Sequence, residues 1–263
     1  MSINSVKGAA IVTGAAQGIG KAIAIRLAKD GYDMALNDVP GKEDLLHTLA
    51  DEIISQGRKS TIIIADVTNE KSVVEMIKRT VSELGILRVM VANAGIALTI
   101  GTEFLDTRLE DFEKVLKVNL MGVFLCYREA ARQMVQQGTW GRASSVNGKR
   151  ESHRDEHLIF FKEKKNNHYR AAAEMKKYGI TVNAYAPGYI DTPMARQALS
   201  VNENLSNEEI RQQIIQRGSS SSGLAVNLGT PEDIANFVSY LASEESKFMT
   251  GQAVSVNGGV FFG

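Results

Sequence analysis

The sequence predicts one doubly wound α/β domain on a parallel sheet, and three observations predict it. Short apolar runs alternate with longer helical patterns through the first half of the chain. Those runs lack polar alternation, as strands covered on both faces do. The first run stops at a glycine cluster that opens directly into a helix. Strands alternating with helices imply βαβ units and right-handed crossovers. A chain of 263 residues is long enough for one well-buried core. No repeat or linker divides it.

The elements follow in order. Ala9-Ala10-Ile11-Val12 is the first strand, ending at Thr13-Gly14. Lys21 to Lys29 spaces Ala22, Ile23, Ile25, Leu27 and Ala28 as a helix, closed by Gly31. Met34-Ala35-Leu36 is a second strand, Leu45 to Ile54 a helix, Ile62-Ile63-Ile64 a third strand and Arg88-Val89-Met90-Val91 a fourth. Ser219 to Ser222, a low-complexity patch, reads as a mobile loop. Thr230, with Pro231 and Asp233 after it, reads as a helix N-cap.

Composition excludes several classes of function. Thirty Lys and Arg balance thirty Asp and Glu, so the basic excess that nucleic acid or an anionic membrane calls for is missing. A lone cysteine, Cys126, excludes an internal disulfide framework and a Cys-rich zinc module. No apolar run reaches the ~18 residues of a membrane span, and the opening MSINSVKG has no apolar stretch of the secretory kind. The expectation is a soluble, cytoplasmic protein.

Gly14-Ala15-Ala16-Gln17-Gly18-Ile19-Gly20 lies between the first strand and its helix. Glycines there permit positive φ and let backbone approach a pyrophosphate, while the helix N-terminus offers free N–H groups to it. Asp38 follows the second strand, eighteen residues after Gly20, near the ~20 expected for the acid that binds an adenosine ribose. Its carboxylate would accept hydrogen bonds from the ribose hydroxyls and repel a 2′-phosphate. No Arg stands in the glycine turn or beside Asp38. The expected cofactor is NAD.

These residues resemble the short-chain dehydrogenase/reductase family, over residues 8–142 and 174–263. Thr13 to Gly20 resembles its cofactor motif, Asp66-Val67 the pair that meets adenine, and Asn93-Ala94-Gly95 the motif flanking the cofactor after strand four. Asn119 resembles the helix asparagine of the catalytic tetrad, and Ser145 its serine. Pro187-Gly188-Tyr189-Ile190-Asp191-Thr192-Pro193-Met194 resembles the segment that holds the nicotinamide amide and opens a substrate lid, here about 194–225. Pro187, Gly188, Tyr189, Ile190 and Thr192 therefore join the expected cofactor site. Asn93 and Asn119 also have a plainer reading, the satisfaction of backbone groups at irregular strand and helix turns, and Thr192 another as a helix cap. Within the family the chain is most similar to acetoin (diacetyl) reductases and butanediol dehydrogenases. The resemblance implies a small ketone, hydroxyketone or secondary alcohol as substrate, and a homotetramer.

The family's proton transfer uses a Tyr with a Lys four residues on, one helical turn away. A free tyrosine has pKa ~10 and needs the Lys ammonium to work near neutrality. Here the residues four beyond Tyr32, Tyr127, Tyr169, Tyr178, Tyr185, Tyr189 and Tyr240 are Leu36, Ala131, Ala173, Val182, Tyr189, Pro193 and Glu244. None is Lys. Gly141-Arg142 also runs straight into Ala143, which omits the apolar strand the family places before its serine. Nine of the twenty residues 151–170 are charged, and three of the four histidines lie there. This stretch reads as a solvated charged loop, a local replacement in an otherwise family-like chain, with Tyr169 as the only local tyrosine. His153-Arg154-Asp155-Glu156-His157 matches an H-x-x-E-H zinc pattern, but no third ligand accompanies it. No metal is expected. Two functions follow from these residues: an NAD-dependent oxidoreductase, or a dinucleotide-binding protein of the same fold with impaired catalysis.

Overall fold

The computed structural model describes residues 6–97, 104–138, 157–162, 167–199, 206–222 and 228–259. Strands β1 (Ala9–Thr13), β2 (Asp33–Asp38), β3 (Ser60–Ile64) and β4 (Leu87–Ala92) alternate with helices α1 (Gly18–Lys29), α2 (Glu43–Ser55) and α3 (Glu70–Leu84). Helix α4 (Leu109–Leu116) runs through a π turn at Lys117–Gly122 into α5 (Val123–Gln136). Then come β5 (His157–Lys162), α6 (Asn167–Met175), β6 (Ile180–Pro187), α7 (Pro193–Leu199), α8 (Asn207–Ser222), α9 (Pro231–Leu241) and β7 (Ala253–Val256). The seven strands form one sheet in the order β3-β2-β1-β4-β5-β6-β7, parallel at every pairing. It is the doubly wound sheet the sequence predicts.

Alternate strand residues feed two cores. Ala10, Val12, Met34, Leu36, Val89, Val91 and Tyr185 pack with α1, α2 and α9. Ile11, Ala35, Met90, Val182 and Ala184 face the other way, toward α3, α5 and α6. Each large side chain withdrawn from water in this way contributes about 1.5–3 kcal/mol, so the five-residue β1, buried throughout, is held from both faces. β3 differs from the expectation of two covered faces. It is an edge strand in which only Thr61 and Ile63 are buried, while Ile64 is exposed.

Two expectations are corrected. Residues 151–170 are not one solvated loop. His157–Lys162 forms β5 in the middle of the sheet, pairing Val89 with Leu158 on one side and Val182 with Ile159 on the other. It supplies the central strand that appeared to be omitted. The apolar run Leu158-Ile159-Phe160-Phe161 explains this, because a buried central strand needs only a short apolar run with its backbone groups paired. Ser219–Ser222 is not a loop either but the end of α8. Serine costs a helix only a few tenths of a kcal/mol per residue, so four of them can extend a helix already begun. Thr230 caps α9 as expected, accepting from the Asp233 N–H at 3.3 Å while the Asp233 carboxylate accepts from the Thr230 N–H at 2.7 Å.

Among the described residues no helix is long and apolar enough to cross a membrane. Cys126 sits in α5, buried against α3 and the sheet, and burial pushes its thiol up to about 12. The thiolate is the nucleophile, so native protein at pH 8 is expected to resist iodoacetamide and to take up one equivalent only in denaturant. Rapid native labelling in a mass-spectrometric assay would contradict this packing.

Candidate dinucleotide cleft

A cleft of about 440 Å³ opens beyond the C-terminal ends of β1, β2 and β4. The strand order reverses between β1 and β4, where open α/β sheets bind ligands. Gly14, Gln17, Gly18, Ile19 and Gly20 line one wall, Asp38, Asp66 and Val67 another, and Asn93, Ala94 and Gly95 a third, with Thr192 across from them. Twelve residues predicted from separate motifs thus meet in one hollow.

The glycine turn works by close approach. Gly14 has φ +64°, and an added Cβ would stand 3.0 Å from the Ala94 Cα. At Gly20 a Cβ would collide with the Gly14 carbonyl oxygen and lie 2.6 Å from Asn93 Nδ2. Helix α1 can therefore begin directly under the turn and aim its unpaired N–H groups into the cleft. Asp38 braces the turn, its Oδ2 accepting from the Ala16 N–H at 3.0 Å and its Oδ1 from the Val39 N–H at 2.9 Å.

Asn93 ties the third wall to the first. Its Nδ2 donates to the carbonyls of Thr13 at 3.0 Å and Gly14 at 3.2 Å. The N–H groups of Asn93 and Ala94 both donate to Thr13 Oγ1 at 3.0 Å. Asp66 forms its own turn, accepting from the Thr68 N–H at 2.8 Å. Asn119 stands in the π turn and reaches back to Ile96, accepting from its N–H and donating to its carbonyl, both at 2.9 Å. The plainer reading of Asn93 and Asn119, as partners for irregular backbone, is thus realised in their bonds, while Asn93 also faces the cleft.

Thr192 both lines the cleft and caps α7, its Oγ1 accepting from the Ala195 N–H at 3.2 Å. Pro187, Gly188, Tyr189 and Ile190 are not among the lining residues. They bond instead to neighbouring chain: Gly188 N–H to the Val256 carbonyl at 3.0 Å, and the Tyr189 carbonyl to Gly229 N–H at 2.9 Å. This anchorage delivers the next residues, Thr192, Pro193 and Met194, to the cleft. Beside them the Asp191 carboxylate takes Arg196 Nε at 2.6 Å and Nη2 at 2.9 Å, with Arg211 Nε at 3.8 Å. The Arg196 hydrogen bonds hold the Asp191 carboxyl below its usual range, against a smaller opposing effect of burial. A depressed carboxyl stabilises above its unfolded pKa and loses that effect as pH falls through the folded one, so this link between α7 and α8 is complete at neutral pH.

Ser145 lies outside the described residues, as do residues 153–156 of the histidine motif; His157 is in β5. Tyr169 does not take over a place in the cleft. It is half exposed on α6, beside Gly251. None of the chain's seven tyrosines lines the hollow. Residues not anticipated also appear there: Asn37, Val39, Lys42, Ile96, Lys114 and Val118. Val39 and Lys42 lie in the short turn between β2 and α2, while Lys114 on α4 stands four residues before Val118 in the π turn that follows. A larger hollow of about 770 Å³ between α5 and α6, lined by Phe124, Arg128 and Tyr178, shares none of these residues.

This is a Rossmann-like α/β fold with a glycine turn and an acid at its switch point. A family model described as Enoyl-(Acyl carrier protein) reductase matches residues 14–261. A short-chain dehydrogenase/reductase of Armillaria gallica is 42% identical over 261 residues, covering 96% of this chain and 95% of its own. A 3-oxoacyl-(acyl-carrier-protein) reductase of Staphylococcus epidermidis is 34% identical over 255 residues, covering 96% and 98%. Among solved structures, an acetoin dehydrogenase from Salmonella typhimurium superposes with a TM-score of 0.72 at 26% identity, covering 96% and 95%. The chain belongs to the short-chain dehydrogenase/reductase family, and by that kinship it is an oxidoreductase.

Because the Gly14 carbonyl fills the space beside Gly20, Gly20→Ala is expected to cost about 2–3 kcal/mol, lowering Tm by roughly 4–10 °C for a chain of this size. An unshifted thermal transition would refute the close approach.

Proposed function

We propose that the cleft holds NAD(H), and that the protein interconverts a small ketone or hydroxyketone of the acetoin or diacetyl kind with a secondary alcohol. The observation that carries this reading is the convergence of the glycine turn, Asp38, Asp66 and the Asn93–Gly95 loop on one hollow. The N-terminus of α1 would face the pyrophosphate, Asp38 the adenosine ribose, and Asp66 with Val67 the adenine. Pro187 to Ile190 would set the position from which Thr192 meets the nicotinamide half. The nicotinamide supplies or accepts the hydride when bound. Asn119 would act indirectly, by fixing Ile96 at the cleft wall, and Ser145 would orient the substrate oxygen. The acetoin dehydrogenase likeness supports the substrate class, although the relatives also include a reductase of acyl-carrier-protein substrates. A homo-oligomer, a tetramer by family resemblance, and a cytoplasmic location belong to the same reading.

A second reading is a binding protein with little turnover. The absence of any tyrosine from the cleft lining favours it, since proton transfer to the substrate oxygen then has no phenol to perform it. Fluorescence titration with NADH, run beside an assay of diacetyl-dependent NADH oxidation, separates the two. Binding with turnover supports the oxidoreductase, binding alone supports the second reading, and no binding refutes both.

The choice of NAD rests on the charge of Asp38. Lys42 also lines the cleft, so removing that carboxylate leaves a cation to receive a phosphate. Asp38→Ala is expected to cut the NADH-over-NADPH preference by about tenfold, or ~1.4 kcal/mol. An unchanged ratio of dissociation constants would place the selectivity elsewhere.

A further inference from the structure

Among the described residues Tyr185 is the largest fully buried side chain, and it lies on β6, two strands away from β4. Its side chain joins the core that covers α1 and α9, and its hydroxyl donates to Asn93 Oδ1 at 3.1 Å. The other end of the same amide is committed to the Thr13 and Gly14 carbonyls. A primary amide has two ends of nearly equal size, distinguished only by what they donate to or accept from. The turn carbonyls select nitrogen at one end, and Tyr185 supplies a donor that selects oxygen at the other.

We infer that Tyr185 is a positioning residue for dinucleotide binding, acting through Asn93 on the Gly14 carbonyl against which Gly20 and the start of α1 are seated. The inference rests on the reading of the cleft as a dinucleotide site. Asn93 is 8% exposed, so its oxygen, deprived of the phenol, would be an acceptor largely cut off from water. The amide would then turn or shift, loosening its hold on the Gly14 carbonyl. Burial raises the Tyr185 hydroxyl well above the ordinary tyrosine range, so it remains a donor at any working pH and is unsuited to serve as the missing base. Tyr185 itself does not line the cleft.

The test compares wild type, Tyr185→Phe, Asn93→Ala and the double variant of the full chain. In ligand-free protein, hydrogen exchange in the peptide spanning 13–20 is expected to quicken about fivefold in Tyr185→Phe, with β2 and β3 unchanged. NADH is expected to bind about five- to tenfold more weakly to Tyr185→Phe, and the same change in the Asn93→Ala background to matter less than about twofold. Wild-type exchange in 13–20, acceleration spread over the whole sheet, or effects that multiply in the double variant would each overturn the relay. If wild type fails to bind NADH, the reading of the cleft falls, and exchange in Tyr185→Phe alone still decides the relay. The same exchange comparison decides it should Asn93→Ala not fold.

Discussion

The Gly14 carbonyl occupies the space that a side chain on Gly20 would take, and the arrangement of the cleft depends on that fit. A helix can point its free N–H groups into a crevice only if its first turn lies against the strand ends, and here the contact is backbone on backbone. The far end of α1 is fixed as well. Tyr32 donates to the Ala242 carbonyl at 2.8 Å, Ser239 donates to Asp30 at 2.6 Å, and Arg26 bonds Asn236. With α9 gripping its C-terminal turn and the glycine contact fixing its N-terminal one, α1 has little freedom to slide. Small residues make the grip possible: Ala22, Ala24 and Ala28 let Ile23 and Leu27 reach the sheet core.

A second close approach supports the opposite wall. The π turn at Lys117–Gly122 inserts an extra residue into the helical ladder and carries Asn119 to the Ile96 backbone. Its last residue, Gly122, has room for no side chain, since a Cβ would stand 2.7 Å from Val67 Cγ2. The loop after β3 and the loop after β4 are thereby tied to a single helical irregularity. π turns gather at functional sites for this reason: they trade one regular hydrogen bond for a side chain aimed elsewhere.

Legibility followed the range of each interaction. The glycine turn and the Thr230 cap depend on neighbours within a few residues, and Asp38 on a set spacing from that turn across one helix, so the sequence shows all three. Lys114 reaches the cleft only because α4 is placed by packing, while Val39 and Lys42 come with the turn that follows Asp38, and no local pattern marks them. Pro187 to Ile190 were expected at the cofactor because they open the motif that runs to Met194. The strand pairing that anchors Gly188 to Val256 instead brings the chain to the cleft a few residues later, at Thr192. Tyr185 carries no local signal, since its bond to Asn93 spans 92 positions.

The charged stretch shows why fold and chemistry part company in this chain. Averaged over twenty residues, its charge density argues for solvent, yet Leu158 to Phe161 satisfies the sheet. A central parallel strand asks for backbone pairing and apolar side chains, a demand that many hexapeptides meet. Proton transfer asks for a phenol and an ammonium one helical turn apart beside the substrate, which almost no replacement meets by chance. In the family layout a count back from Tyr178 puts the tyrosine near His157 and a count forward from Ser145 near Leu158, and both residues here belong to β5 rather than to a helix. Helix α6 begins only at Asn167, and its one tyrosine lies against Gly251. The sheet is thus completed by a segment that lacks a Tyr with a Lys four residues on, while the candidate dinucleotide cleft, built from other strands, keeps its form.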